Sequence, residues 1–457
     1  MVVNKLSCLF WLGLLAGWIS ACTSMGPTAS IFRPTSPHDQ YGQSLKSAKL
    51  DRTALGTDWL EAGERALRDS LKISIPYRES GYFSANKAFA VGYRLDAQRG
   101  DRFLIRIETQ GQKDTQVFID VFSLEERNRT NLLASSKADT NVLTWEPRKT
   151  QSFLIRIQPE LLRSGSYTIN ITREPALAFP VKGRDSRQIS SYFGAPRDGG
   201  RRRHEGVDIF APKGTPAVAS VDGVITGVGS NSLGGNVAFL TDNERSIRLY
   251  YAHLDRWNVT NGQRVSVGDT VGFVGNTGNA RTTAPHLHFG IYGIMDGATD
   301  PLPFIRLGRG PAKQPLVATS RLGDSIRVSA ARSIMRLAPQ SDAPIVRELP
   351  KASALTIIGG TEIWLRVETP DGLTGYILNS TTESANRPLR RLTLASSSAL
   401  FDSADRQAGT IKTLEPGVAV DVLAVANSFQ LIRSANGQTG WLSLPADPGK
   451  PTKAAIR

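Results

Sequence analysis

With 457 residues the chain is too long for one hydrophobic core, and at about 100–200 residues per domain it should divide into three or four units. Its 40% apolar and 21% charged residues exclude both a chain embedded throughout in a bilayer and a compositionally disordered one. The net charge of +14 speaks of surroundings rather than fold. No nucleic-acid-binding motif accompanies it, so wall polymers and anionic lipid headgroups are the expected partners and nucleic acid is not, unless the charge serves only solubility.

The chain opens with Lys5 and an apolar run from Leu9 to Ile19 that ends in Ser20-Ala21-Cys22. That run is shorter than the ~20 residues needed to span a bilayer, and small residues follow it as the processing site of an export signal requires. Ile19-Ser20-Ala21-Cys22 resembles a bacterial lipobox, which implies cleavage before Cys22, lipidation of Cys22 and a protein held at a membrane of the cell envelope, outside the cytoplasm. Thr23 is not the aspartate associated with inner-membrane retention, which leaves an outer membrane, facing the periplasm, open. The only other cysteine, Cys8, would leave with the signal, so no disulfide can form. Residues 1–21 are read as a lipoprotein signal peptide, and 22–56, rich at first in Ser, Thr and Pro, as a flexible tether.

Mainly β structure is expected beyond it. Leu60, Leu67 and Leu71 recur at helical spacing and predict one short helix, after which the pattern changes to period two. Phe103, Ile105 and Ile107, then Phe153, Ile155 and Ile157, then Tyr167, Ile169 and Ile171 each mark a half-buried strand. With turns at Arg99-Gly100-Asp101 and Arg163-Ser164-Gly165, a helix and an antiparallel β-sandwich fit 57–176. Residues 177–308 are glycine-rich, with strands predicted at 218–228, 236–240, 247–251, 270–274 and 286–292. A linker at 309–322 leads to two units, 323–384 and 385–447, which coincide when the sequence slides by about 65 positions; 448–457 is a tail. Trp364 then falls on Phe429, and the turn Asp371-Gly372 before Tyr376 falls on Asn436-Gly437 before Trp441. The pair resembles two small SH3-like β-barrels of bacteria, which accompany wall-acting enzymes and serve as wall-peptide binders or as spacers.

Four of the five histidines fall within 177–308, at three loci: His204-Glu205-Gly206-Val207-Asp208, Tyr250-Tyr251-Ala252-His253 and Pro285-His286-Leu287-His288-Phe289; His38 alone lies elsewhere. Residues two apart in a strand share a face, so His286 and His288 should emerge together. Catalytic zinc takes three protein ligands, commonly two histidines and a carboxylate, and His204, Asp208 and His288 would provide that set. His253 and His286 are then left beside the metal, where imidazoles move protons. Gly206 and the β-branched Val207 argue against a helix across the first locus and place it on a loop running into a strand. Arg201 to Arg203, just before it, would hold substrate carboxylates or form a solvated loop.

These motifs resemble the lysostaphin and LytM type of zinc metallopeptidases, which cleave peptidoglycan peptides. The family's His-x-x-x-Asp corresponds to His204 and Asp208, its His-x-His to His286 and His288, and its Tyr-x-His-Leu to Tyr251-Ala252-His253-Leu254. The resemblance covers about 180–305 and implies a LytM-type β-sheet peptidase domain over 177–308. It implies His204, Asp208 and His288 as Zn2+ ligands and His253 with His286 as the catalytic pair. Ala284 stands where the family often has glycine, in a slightly longer loop, which alters the cavity rim. A second reading is an envelope lipoprotein that binds and activates a separate wall amidase; members that serve so have usually lost zinc-binding residues, and this sequence keeps them all.

Overall fold

A computed structural model describes residues 35–111, 115–125, 129–293, 297–308 and 310–443. Residues 1–21, expected to be a signal peptide, the expected lipidation site Cys22 and the expected tail at 448–457 lie outside the described residues. No helix among the described residues is long and apolar enough to cross a membrane.

The tether expected over 22–56 is helical in its second half. Ser36 accepts from the Asp39 amide at 3.0 Å, with Pro37 at the first turn, and starts the helix Pro37–Ser47. Thr53 caps a second helix, Ala54–Arg68, by accepting from the Gly56 amide. The face this helix buries is Trp59, Ala62, Gly63 and Ala66, whereas the predicted Leu60 and Leu67 are only half-buried and Leu71 belongs to a strand. Small side chains let the helix lie close on the neighbouring sheet, and one large anchor fills the remaining space. Trp59 donates its indole N–H to the Pro159 carbonyl at 2.8 Å and stacks on His38 with ring centroids 4.6 Å apart. Trp59→Ala should therefore lower unfolding stability by about 3–5 kcal/mol, read from a denaturant titration.

Behind the helices stand two sheets. One orders Leu71–Lys72, Val91–Ala97, Gln151–Pro159, Val117–Leu124 and Thr130–Ser135; the other includes Tyr77–Phe83, Gly165–Pro175, Asp101–Gly111 and Val142–Trp145. The period-two residues named from sequence all point into the space between them and are buried. The pairing is antiparallel except between Leu71–Lys72 and Val91–Ala97, which run parallel.

The central sheet orders Ile189–Ser191, Val207–Phe210, His286–Gly293, Ile247–Trp257, Gly235–Asp242, Gly223–Asn231 and Arg264–Val265, with Pro216–Val218 and Thr270–Val274 paired beside it. The single strand expected at 218–228 is two strands, because 219–222 turns the chain from Thr270–Val274 to a new partner, Gly235–Asp242. The sandwich fastens to one end of this sheet. Glu146 accepts from Arg102 of its own unit at 2.8 Å and from two nitrogens of Arg245 at 2.8 and 2.9 Å, and Arg306 meets Asp101 at 3.0 Å. Arg245 sits in the turn before Ile247–Trp257, and His253 lies about 20 Å further along that strand at ~3.3 Å per residue. These interdomain contacts thus lie at the end of that strand away from His253.

Two further strand clusters follow, one from Ser325–Val328 to Thr382–Ser384 and one from Arg390–Thr393 to Thr439–Ser443. The expected hairpin turns are present, with Gly372 and Gly437 at φ +83° and +84°, a conformation that glycine adopts without penalty. The linker expected over 309–322 is shorter than that, since Val317 is buried in the first cluster's core and the Leu316 amide donates to the Thr361 carbonyl.

Candidate metal centre

Adjacent strands set the third locus against the first. Val207–Phe210 and His286–Gly293 run antiparallel with Asp208 opposite His288 and Phe210 opposite His286, so all four side chains share one face. Leu287 and Phe289, on the other face, are fully buried in the core. His204 precedes its strand on a loop, as expected; its backbone is pinned where its amide donates to the Ala195 carbonyl and its carbonyl accepts from the Gly194 amide. Gly206 is required by close approach, because a Cβ there would lie 2.5 Å from the Phe289 carbonyl oxygen and 2.8 Å from the His288 ring.

His253 reaches the cluster by an irregularity. In a regular strand it would share the core face of Tyr251, which is fully buried. The pairing with Gly235–Asp242 instead shifts register between Asn236 and Ala238, and His253 takes φ +62° while its amide donates to the Gly234 carbonyl at 2.7 Å. This bulge turns the imidazole toward His286 and His288, with ring centroids at 4.9 and 5.9 Å.

The hydrogen bonds fix which nitrogen of each ring carries a proton. His204 Nδ1 is 2.9 Å from the Tyr192 carbonyl oxygen, His253 Nδ1 is 2.9 Å from that of Thr277, and His286 Nδ1 is 2.8 Å from that of Ala284. A carbonyl only accepts, so each Nδ1 donates and each Nε2 presents a lone pair. His204 Nε2, Asp208 Oδ1 and His288 Nδ1 then converge, each 3.0 Å from the other two. A proton placed among these three atoms satisfies one contact at a time, whereas a cation satisfies all three. The donor set, two imidazoles and one carboxylate, is the one that divalent zinc takes with a position left open.

Electrostatics agree with that fit. Burial alone would raise the Asp208 carboxyl, but the imidazoles of His204 and His288 more than reverse it and hold the group far below the usual carboxylate range. Burial lowers His288, and burial with the neighbouring His286 and His288 pushes His253 down to about 4, so His253 is neutral at pH 7.

Sequence reasoning missed Arg197. Its Nη2 donates to Asp208 Oδ2 and to Ser191 Oγ, each at 2.7 Å, so the second carboxylate oxygen is held and the first is left to face the imidazoles. The arginine run that did draw notice is otherwise engaged: Arg202 pairs with Asp198 at 2.6 Å, Arg201 donates to the Asp198 carbonyl and Arg203 to the Gly194 carbonyl. Only the fold distinguishes Arg197 from these, through the short hairpin that pairs Pro196–Arg197 with Arg202–Arg203. Arg197→Met should weaken any zinc binding at this cluster by about 10–100-fold in competition with a chelating dye, since Asp208 stays in place but loses the contact that orients it.

Fold and site together define a β-sheet domain with a His-Asp-His cluster that could hold a metal ion and two further imidazoles beside it. Residues 202–301 match the model of Peptidase family M23 and residues 331–383 match that of the bacterial SH3 domain. A peptidoglycan DD-endopeptidase of Vibrio cholerae is 35% identical over 165 residues, 35% of this chain and 37% of that protein. The glycyl-glycine endopeptidase ALE-1 of Staphylococcus capitis is 42% identical over 107 residues, 22% of this chain and 29% of that protein. The solved catalytic domain of lysostaphin from Staphylococcus simulans is 37% identical, with 25% of this chain and 89% of that one covered, at a TM-score of 0.23. The chain thus spans well under two thirds of the length of these curated relatives.

Proposed function

We propose that this protein is a zinc metallo-endopeptidase that hydrolyses peptide bonds in the stems or cross-links of peptidoglycan, and that it works in the cell envelope, tethered by a lipid on Cys22. The observation that carries the reading is the convergence of His204 Nε2, Asp208 Oδ1 and His288 Nδ1 beside two further imidazoles whose Nδ1 atoms are held by backbone carbonyls. His204, Asp208 and His288 would hold zinc, which when bound supplies a Lewis acid that acidifies water and polarises a carbonyl. His253 and His286 do the proton work. Each is locked by a carbonyl on Nδ1, so its Nε2 can accept a proton from the attacking water. The imidazolium so formed stands beside the developing oxyanion, stabilises it, and returns the proton to the leaving amine. Phe210, stacked on His286 at 5.0 Å, and Tyr250, edge-on to His288 at 5.8 Å, hold the rings in place and keep water from their flanks.

The wall as substrate is supported by the Vibrio cholerae relative, which is named as a peptidoglycan DD-endopeptidase, and by the match to the bacterial SH3 domain in the same chain. A soluble form starting after Cys22, incubated with purified sacculi, should release new amino groups and shorten cross-links, and chelation should stop it. If sacculi are cut only when a separate amidase is added, the protein is an activator and not the hydrolase.

A further inference from the structure

The two barrels are fastened by one and the same face. In the first, Gly359, Arg366 and Tyr376 stand side by side across the strands Ala354–Gly360, Trp364–Glu368 and Thr374–Leu378. In the second, Ala424, Leu431 and Trp441 stand side by side across Ala419–Ala426, Phe429–Ser434 and Thr439–Ser443. The two rows are the same positions at the sequence offset of about 65, and each begins at a bulge, between Ile357 and Gly359 and between Val422 and Ala424.

Each row meets a unit from earlier in the chain, the sandwich for the first barrel and the first barrel for the second. Gly360 and Gly359 pair with Ser80 and Gly81 at the edge of the sandwich strand Tyr77–Phe83, so one sheet runs through both units. Gly359 has to be small here, because a Cβ would lie 2.7 Å from the Ser80 carbonyl oxygen. Beneath that seam lies Glu79, fully buried. Arg366 reaches its Oε1 at 3.3 Å, while Tyr376 and Tyr93 donate to Oε2 at 3.0 and 3.2 Å and Tyr77 donates to Oε2 as well. A carboxylate with no water is tolerated only when its partners are all present, and here two of them come from the barrel. In the second barrel Val425, the counterpart of Gly360, bridges to Ser353 and donates its amide to the Ala352 carbonyl at 2.9 Å. Arg327 of the first barrel, itself buried, donates to the Leu423 carbonyl at 2.7 Å. Ala424, Leu423 and Leu431, with Trp441 against them, form an apolar cluster with Ala354 and Ala385. The geometry of the row is kept and its chemistry changes with what it faces: arginine and tyrosine toward a buried carboxylate, leucine and tryptophan toward two alanines.

We infer that this transverse row is an intramolecular docking face, and that the partner it fits in each barrel is an earlier unit of the same chain, the sandwich for the first barrel and the first barrel for the second. Repeated use of one docking face builds an arm of fixed geometry on the sandwich, not a string of independent wall-binding modules whose aromatic rows wait for a peptide.

The test uses the soluble full chain with a specific protease site inserted after Gly310, cut and passed over a size-exclusion column. Docking predicts that the two pieces of the cut chain elute as one species. Arg366→Glu, which sets two carboxylates against each other, should release the C-terminal piece, and Glu79→Arg combined with Arg366→Glu should restore co-elution. Circular dichroism of the separated pieces shows that release is not unfolding. If the pieces part without any substitution, or if Arg366→Glu leaves them together, the docking inference is wrong; loss of retention on sacculi in that variant would assign the face to the wall instead.

Discussion

Asp208→Ala is expected to abolish release of amino groups from sacculi and, in the same preparation, to leave the chain without stoichiometric zinc. Asp208 is the one anionic donor of the three, its Oδ1 is 3.0 Å from both imidazole nitrogens, and Arg197 would face the hole left behind with its charge uncompensated. Two neutral imidazoles with a nearby cation are a poor site for a dication. The residual rate should fall to background, a loss of at least about 1,000-fold that is measured by amino-group release against time. His288→Ala should behave alike, and added zinc should rescue neither.

The second large effect separates chemistry from metal binding. His253→Ala should lower turnover by about 100- to 10,000-fold, the range for loss of a positioned acid–base group, with zinc content unchanged. The reason is geometric: His253 stands 5.9 Å from His288 between ring centroids, and its Nδ1 is spent on the Thr277 carbonyl. His286→Ala should fall in the same range. The double substitution should lose far less than the product of the two single effects, because the imidazoles act on one proton path. Should His253→Ala instead strip the metal, the division of labour between the two groups of histidines is wrong.

Much of this site could be read from residue spacing. His286 and His288 are two apart in a strand, and that alone puts them on one face; Gly206 before a β-branched residue correctly forecast a loop running into a strand. Three things could not be read. The swing of His253 depends on a register shift that only its neighbour Asn236 reveals, and no residue type encodes φ +62° there. The carbonyls of Tyr192, Thr277 and Ala284 that set the tautomers have no side-chain signature. Arg197 is one arginine among several in a short basic hairpin, and only the register Arg197 to Arg202 puts it toward Asp208. At the level of fold, period-two patterns identified strands well because a half-buried sheet demands them. The helix was harder: leucine spacing suggested the wrong face, since the contact there needs alanine and glycine for closeness and Trp59 for volume. Docking of the barrels was hidden for a different reason. The repeat was visible, but residues 79 and 366 are far apart in sequence, and neither a buried glutamate nor its arginine differs in a sequence from its exposed equivalents.

The measurement that bears most directly on the central claim is X-ray absorption at the zinc edge of the soluble chain. The account predicts one zinc per chain with two imidazoles and a carboxylate oxygen among its neighbours at about 2.0–2.2 Å, and loss of that spectrum in Asp208→Ala. A shell of oxygens without imidazole, or an unchanged spectrum in Asp208→Ala, would contradict it.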